Sequence, residues 1–458
     1  MSKMRKISEN LKHVYRAVTG TVMTAAVTAL FAFIWHTRLN PLMDRSFLGK
    51  GNWAIVAMYA VMSIFFLATM GGFSIGLNRI SHASIGSAIG IVASNVLMGG
   101  FSVILIGRVK FISDVVWPFV WITVIDVFGL FGLTYFFTWA YRKVFPPYSI
   151  LQIRGEHDNN LVNKMHSRRD KYHIDGTILY EEAIEMIEGE ILKYDAVLLN
   201  DVPAEARNKI LKICFDHQKR VYFTPKIGDI IVRESEELNL FDSPIYLSRN
   251  QGFSLTQSFV KRIGDIIISL VGIILSSPVM LITAIAIKAY DGGPVFYRQT
   301  RYTIGHKKFR IFKFRSMITD AEKDGQARLA TESDSRITPV GKFIRATRID
   351  ELPQFFNILW GDMSVVGPRP ERPEIHVQYC EKIPEFDFRL AVKAGLTGYA
   401  QVYGKYNTTT YDKLKFDMIY VQKRSILLDL HLILLTLRVI FQKEATEGLD
   451  EGEKTALK

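Results

Sequence analysis

Residues 347–371 read TRIDELPQFFNILWGDMSVVGPRPE. Two adjacent carboxylates, Asp350 and Glu351, are followed by Pro368-Arg369-Pro370. At a helix start, free N–H groups and the helix dipole hold a carboxylate ionised and also attract phosphate. A carboxylate kept ionised there can attack phosphorus. Its neighbour can hold Mg²⁺, which offsets diphosphate charge during group transfer. Two prolines restrict Arg369, whose guanidinium takes phosphate oxygens two at a time. The same residues also have a purely structural reading. Asp350 suits a helix N-cap, Glu351 its first turn, and Pro353 is tolerated there. Leu352, Phe355, Phe356 and Leu359 then form a buried helical face. Pro-Arg-Pro is also a rigid surface turn, and Asp362 in GDMS is either a further carboxylate or a turn residue. Arg345 and Arg348 precede the pair and either line the same pocket or face solvent.

Upstream, 296–315 carries Arg298, Arg301, Lys307, Lys308, Arg310, Lys313 and Arg315 among aromatics. This pattern fits an interfacial belt resting on lipid headgroups, a phosphate-binding wall, or both. Strand alternation in IFKFR puts Lys313 and Arg315 on one face and Phe312 and Phe314 on the other.

The elements that must position these residues are partly membrane-embedded. The chain has 458 residues, 48% hydrophobic and 22% charged, with a net charge of +12. That combination suits a membrane half joined to a soluble half. The positive charge suits anionic headgroups or a phosphorylated substrate. No nucleic-acid motif is present, so no nucleic-acid partner is expected. Four apolar stretches, roughly 18–35, 53–77, 83–107 and 115–140, have the length of bilayer-crossing helices. A basic tail (Lys3, Arg5, Lys6, Lys12, Arg16) precedes the first, without a small-residue cleavage site after it, and Arg142 and Lys143 follow the last. An even number of spans puts both flanks on one side, the cytoplasm by the positive-inside rule. Arg38, Arg45, Lys50, Arg108 and Lys110 then fall in outside loops and oppose that assignment. Asp126, inside the fourth stretch, is read as a satisfied polar contact in the bundle rather than a functional group.

Pro146-Pro147 marks a boundary. Beyond it YSILQIRG, DGTILY, DAVLLN and VYFTP read as strands alternating with helices, a small parallel α/β unit. Its first strand ends in RGEH, through Glu156 and His157, and not in a G-x-G-x-x-G phosphate loop. Cys214 and Cys380 lie too far apart in sequence to argue a disulfide framework or zinc site. A fifth apolar stretch, 266–287, carries Ser276-Ser277-Pro278 in its middle. Proline kinks the helix there, and serine can bond the freed carbonyl. Basic residues flank both ends (Lys261, Arg262; Lys288, Arg298, Arg301), which favours a re-entrant hairpin over a crossing helix. Asp429, His431 and Arg438 make a spanning C-terminal helix costly.

KRIGDIIISL…SSPVM, GPVFYRQTR, FKFRSM, RIDELPQFFNILWGDMSVVGPRPE and GLTGYAQV occur in one order at close spacing. Together they resemble the bacterial polyprenyl-phosphate hexose-1-phosphate transferases that prime exopolysaccharide and capsule synthesis. The resemblance covers about 259–442. It implies a fold of four N-terminal transmembrane helices (1–145), a small cytoplasmic Rossmann-like α/β domain (146–252) and a monotopic catalytic domain (253–458). The catalytic domain would hold a re-entrant helix at about 264–288, broken at Ser277-Pro278. The implied enzyme moves hexose-1-phosphate from a UDP-hexose, glucose before galactose, to undecaprenyl phosphate and releases UMP. Asp350 matches the nucleophile, Glu351 its magnesium-associated partner, and Pro368-Arg369-Pro370 the phosphate and nucleotide motif. Lys313, Arg315 and Arg301 are the accompanying phosphate-binding candidates. Membrane lipids are further partners, a homo-oligomer is admitted, and the location is the bacterial cell membrane with the catalytic domain on the cytoplasmic face. Two positions depart from the family pattern. Thr303 stands where a glycine is frequent, and Lys393-Ala394-Gly395 replaces Lys-Pro-Gly. The alternatives are a membrane glycosyltransferase that releases UDP and a non-catalytic assembly or regulatory protein.

Overall fold

The computed structural model describes residues 2–107, 112–155, 161–182, 184–240, 242–249, 252–319, 334, 336–404 and 408–440. The side chains of Lys3, Arg5 and Lys6, and residues Arg108, Lys110, Glu156, His157 and Gln442, lie outside the described residues. The chain forms two compact units, Met1–Thr224 and Pro225–Lys458.

The first unit opens with four apolar helices: α1 (Ser2–Ile34), α2 (Lys50–Thr69), α3 (Ile80–Ile106) and α4 (Ile112–Val144). Each is long and apolar enough to cross a membrane. Their outward faces carry Phe33, Trp53, Ile104, Trp121 and Phe128 exposed. Inside, Phe31 stacks on Tyr59 with ring centroids 4.1 Å apart. Asp126 is buried, and its Oδ2 accepts from Asn95 Nδ2 at 3.3 Å and Tyr59 Oη at 3.4 Å. It is thus the satisfied contact expected of it, since a buried polar group needs its partners supplied by the bundle.

A four-stranded parallel sheet follows: β1 (Tyr148–Arg154), β2 (Tyr172–Leu179), β3 (Ala196–Asn200) and β4 (Arg220–Phe223), in the order β2-β1-β3-β4. Helices α5 (Leu161–His166), α6 (Ile184–Lys193) and α7 (Ala204–Asp216) alternate with the strands. All five residues of β3 are buried, as a central strand covered on both faces requires. Gly155 ends β1 where a Cβ would meet the Asp201 carbonyl at 2.1 Å. Its role there is close packing of two chain segments. The sheet domain holds one end of the helix bundle. Lys12 of α1 bonds Tyr148, Arg168 donates to the Leu77 carbonyl after α2, Arg79 before α3 donates to Ser167, and Arg142 of α4 pairs with Asp170. The start of α1, the turn between α2 and α3, and the end of α4 therefore share one side.

In the second unit, α8 (Ile227–Arg233) and the antiparallel hairpin β5 (Glu236–Leu240) and β6 (Ser243–Leu247) precede α9 (Leu255–Asp291). The boundary between units thus falls at Thr224/Pro225, and Ile227 and Ile230 of α8 pack with Leu414 and Met418. α9 begins with a capping box, Ser254 with Gln257. It stays helical for 37 residues across Pro278. Proline removes the donor that Ile274 O would have accepted, and Ser277 Oγ bonds that carbonyl at 2.8 Å instead. The helix stops at Gly292, whose φ of 68° is the left-handed C-terminal cap.

Antiparallel β7 (Phe296–Tyr302) and β8 (Lys308–Phe314) come next, then α10 (Pro339–Ala346), a 3-10 turn Ile349–Glu351 and α11 (Gln354–Trp360). The described residues continue with β9 (Ser364–Val366), α12 (Pro373–Lys382), a 3-10 segment Pro384–Ala391, β10 (Gly395–Thr397) parallel to β9, α13 (Tyr399–Tyr403), α14 (Thr410–Lys423) and α15 (Ile426–Ile440). The core joins Phe309, Ile311, Ile358, Val365, Tyr420 and Leu432. α15 belongs to that core, and its Asp429 is bonded to Lys261 and Tyr420.

Lys261 and Arg262, which precede the apolar stretch within α9, are spent on packing. Arg262 donates to the Ile358 and Leu359 carbonyls at 2.7 Å each, closing the C-terminus of α11. Lys261 donates to the Val366 carbonyl at 3.2 Å, and Asp265 accepts from Val365 N at 2.9 Å and Ser364 Oγ at 3.1 Å. The charge symmetry read from the sequence therefore carries no topological information at these positions.

Candidate active site

The carboxylate pair rides on a tight turn, not on the α-helix expected of it. Arg348 adopts a left-handed backbone, φ +56°, which costs a non-glycine residue about 1–3 kcal/mol. It swings the chain from α10 into the 3-10 turn Ile349–Glu351. α11 begins only at Gln354, with Pro353 in the cap position and no side-chain cap. Asp350 is therefore not the N-cap of α11. Its buried face is also rotated from the one expected. Gln354, Asn357 and Ile358 are buried, whereas Leu352, Phe355, Phe356 and Leu359 are half-buried. Phe355 turns toward α9, where a Cβ on Gly272 would sit 2.8 Å from its ring. Asn357 can be interior because β8 satisfies it: it accepts from Phe312 N at 2.8 Å and donates to Arg310 O at 2.9 Å.

Glu351 is the electrostatic centre. Its Oε1 accepts from Arg369 Nη2 at 2.7 Å and from Lys313 Nζ at 2.9 Å, while Arg348 Nη1 lies 4.0 Å from Oε2. Lys313 Nζ is also 3.8 Å from Asp350 Oδ2. Burial pushes the Glu351 carboxyl up, but Arg369, Lys313 and Arg348 outweigh it and hold the group well below the usual glutamate range. Asp350 is shifted the other way. Burial raises its pKa most, the Glu351 charge adds to this, and Lys313, Arg369 and Arg345 oppose it. The Arg369 guanidinium is pushed up by Glu351 and still exposes 45% of its side chain, so it remains open to a further anion.

The loop Pro368-Arg369-Pro370-Glu371 is held by four successive carbonyls. Pro368 O accepts from Gly395 N at 2.9 Å, Arg369 O from Arg389 Nη2 at 2.8 Å, Pro370 O from Arg301 Nη1 at 3.1 Å and Glu371 O from Tyr302 N at 3.1 Å. Arg301 thus braces the loop from β7. Arg389 is buried against Asp417 at 2.7 and 2.9 Å, a residue no sequence pattern singled out. The two family departures meet here: Thr303 Oγ1 accepts from Ala394 N at 3.1 Å. A proline at 394 has no such donor, so the threonine hydroxyl and the alanine N–H form a matched pair.

Of the sequence-derived site residues, Asp350, Glu351, Lys313 and Arg369 converge, and Arg348 and Arg345 join them. Arg315 does not. It lies just past β8, buried and bonded to Asp291 at the end of α9. The expected pairing of Lys313 with Arg315 on one basic face fails because the strand ends between them, at Phe314. Ser277 and Pro278 lie mid-helix in α9 and act on its backbone. Asp362 lies 3.9 Å from Lys307. For a divalent ion, Oε2 of Glu351 is the oxygen left over, since both short bonds fall on Oε1. Beside Asp350 it gives the hard-oxygen donors that Mg²⁺ takes together with substrate phosphate.

Residues 256–443 match the bacterial sugar transferase family. The chain is 43% identical over 219 residues to a UDP-glucose:undecaprenyl-phosphate glucose-1-phosphate transferase of Klebsiella pneumoniae, a span covering 45% of each chain. It is 38% identical over 263 residues to a UDP-N-acetylgalactosamine-undecaprenyl-phosphate N-acetylgalactosaminephosphotransferase of Aeromonas hydrophila, covering 54% of this chain and 59% of that one. A putative undecaprenyl-phosphate N-acetylgalactosaminyl 1-phosphate transferase of Bacillus subtilis is 47% identical over 131 residues, 29% of this chain and 73% of its own. The chain spans about half the length of the first two relatives. With the ordered motifs and the converged charges around Asp350 and Glu351, these matches show that the chain belongs to the bacterial sugar transferase family.

Proposed function

We propose that the protein is a membrane phosphoglycosyl transferase, moving hexose-1-phosphate from a UDP-hexose to undecaprenyl phosphate with release of UMP. The observation that carries this reading is the pairing of Asp350, raised by burial, with Glu351, held ionised by Lys313, Arg369 and Arg348. An Asp350 oxygen attacks the phosphorus that bears the sugar. The P–O bond to UMP breaks, and the bridging oxygen leaves with UMP. The enzyme then carries an aspartyl phosphosugar. An oxygen of undecaprenyl phosphate attacks the same phosphorus, the P–O bond to the Asp350 carboxylate oxygen breaks, and Asp350 is regenerated as a carboxylate. Arg369 and Lys313 receive phosphate oxygens along this path. Mg²⁺ at Glu351, when bound, neutralises diphosphate charge.

The similar proteins are named for glucose and N-acetylgalactosamine, and another, from Salmonella typhimurium, for galactose. Glucose is the first choice for this chain and galactose the second. Priming of exopolysaccharide or capsule synthesis is the role that goes with it. α9 is read as re-entrant, which keeps the catalytic unit on the cytoplasmic face. Straight, 37 residues would extend roughly 55 Å. Yet Arg262 and Asp265 near one end, and Ile287 and Asp291 at the other, all attach to the same catalytic unit. Ile274, Leu275, Leu281 and Ile282 between them are exposed, as a lipid-facing segment would be.

Incubation with UDP-glucose and undecaprenyl phosphate should yield UMP. UDP as the nucleotide product would replace this reading with glycosyl transfer. The Asp350→Asn variant should lose turnover by roughly 10³-fold or more, together with any trapped phosphosugar adduct. Full activity in that variant would remove Asp350 as nucleophile.

A further inference from the structure

A second constellation of metal-ligating side chains lies apart from the carboxylate pair. His306 sits at the tip of the turn between β7 and β8, with a left-handed backbone, φ +61°, just after Gly305 at +59°. His376 projects from α12, and Asp387 lies in the 3-10 segment Pro384–Ala391. Asp387 Oδ1 accepts from His306 Nε2 at 2.7 Å and from His376 Nε2 at 3.1 Å. One ligand atom from each of the three lies within 4.8 Å of the others. Among the described residues, this is the group of three or more potential ligands so arranged. Tyr302 packs edge-on against both imidazoles, at 5.6 and 5.4 Å between centroids.

We propose that His306, His376 and Asp387 form a site for a transition-metal ion of the Zn²⁺ class. Two imidazoles and one carboxylate are a ligand set for zinc, and three protein ligands leave a fourth position for water. At Zn–ligand distances of about 2.0 Å, tetrahedral ligand atoms stand about 3.3 Å apart. The two nitrogen–oxygen separations are already 2.7 and 3.1 Å, so the remaining adjustment is between the imidazoles. His306 is free to make it, because 52% of its side chain is exposed. Asp387 is 44% exposed, which gives the ion a path from solvent, and buried His376 supplies the fixed wall. The nearby Arg389 charge is met by Asp417 at 2.7 Å and Glu371 at 3.7 Å. The Nδ1 of His376 is buried without a partner. Ligating histidines usually donate that proton to an outer group, and losing such a partner costs about 10–100-fold in affinity. The site is therefore an exchangeable one. Occupied, it ties the β7–β8 turn to α12 and to the segment bearing Arg389, directly behind the Pro-Arg-Pro loop.

The test uses the full chain in detergent, stripped with chelator and then titrated with Co²⁺ alone and Zn²⁺ alone. The wild type should bind one equivalent of Co²⁺ with a visible absorption band of four-coordinate type, displaced by Zn²⁺, and Zn²⁺ should raise its unfolding temperature. His306→Ala and Asp387→Asn replace exposed residues. Each should weaken Co²⁺ binding by about 10-fold or more and abolish the thermal shift. Identical titrations in the wild type and both variants, or no saturable binding in the wild type, would overturn the site. None of these readouts involves sugar transfer, so the result stands independently of the proposed activity.

Discussion

Asp350 and Glu351 are neighbours in sequence with opposite electrostatic fates. Burial dominates at Asp350 and raises it, and the adjacent Glu351 charge reinforces the shift. Three cations dominate at Glu351. A nucleophilic Asp350 must be ionised, so the acid limb of kcat/KM should lie above the ordinary aspartate value of about 3.9, with activity rising as pH rises through it. Lys313 favours the ionised form of Asp350, so Lys313→Met should move that limb to higher pH, as a pH–rate profile would read. Glu351 gives the reverse sign for stability. Its folded pKa is depressed, so its contribution is present above the unfolded value of about 4.3 and is lost as pH falls through the folded one. Unfolding midpoints of the wild type and Glu351→Gln should therefore converge in acid. A gap between them that is unchanged at low pH would contradict the assignment.

At the scale of elements, the Pro-Arg-Pro loop is rigid for two separate reasons. The prolines limit its backbone, and Gly395, Arg389, Arg301 and Tyr302 each bond one of its four successive carbonyls. Arg389 ties that loop to buried Asp417. Removing the arginine leaves a buried carboxylate uncompensated, so Arg389→Ala should destabilise the fold by about 3–5 kcal/mol, measured by chemical denaturation. Losses within about 1 kcal/mol, as for an exposed ion pair, would mean that Asp417 reaches water. β8 was legible as a strand from the alternation of IFKFR, and so was the serine bond to the carbonyl freed at Pro278, but not the break there, since α9 runs helical across the proline. The start and the buried face of α11 were not. Helical spacing counts Phe355 and Phe356 as core, but Phe355 turns toward the long apolar helix α9, and the interior position went to Asn357, which completes the edge of β8.

At the scale of the whole molecule, five helices among the described residues are long and apolar enough to cross a membrane, and α9 differs from the other four. Its two ends attach to one catalytic unit, whereas α1 to α4 alternate beneath the sheet domain. The re-entrant reading proposed for α9 places both ends on one face. Single cysteines at exposed Leu255 and Tyr290 should therefore react with a membrane-impermeant thiol reagent from the same side of sealed vesicles. Labelling from opposite sides would make α9 a crossing helix.

The sequence by itself determined the five long apolar segments, the parallel strands of the first unit and the family, and it named Asp350, Glu351, Lys313 and Arg369, which the structure brings together. Local composition and spacing suffice for the segments and strands, because hydrophobic length and strand alternation act within a few residues; the family and the site roles rest on the resemblance carried by the ordered motifs. Tertiary structure alone decided that Arg315 pairs with Asp291, that Arg389 braces Arg369, that Thr303 matches Ala394, and that His306, His376 and Asp387 meet. Each of these joins residues from different elements, from 11 to 91 positions apart where a hydrogen bond links them. Their energies come from burial and partnership across space, which no local pattern encodes.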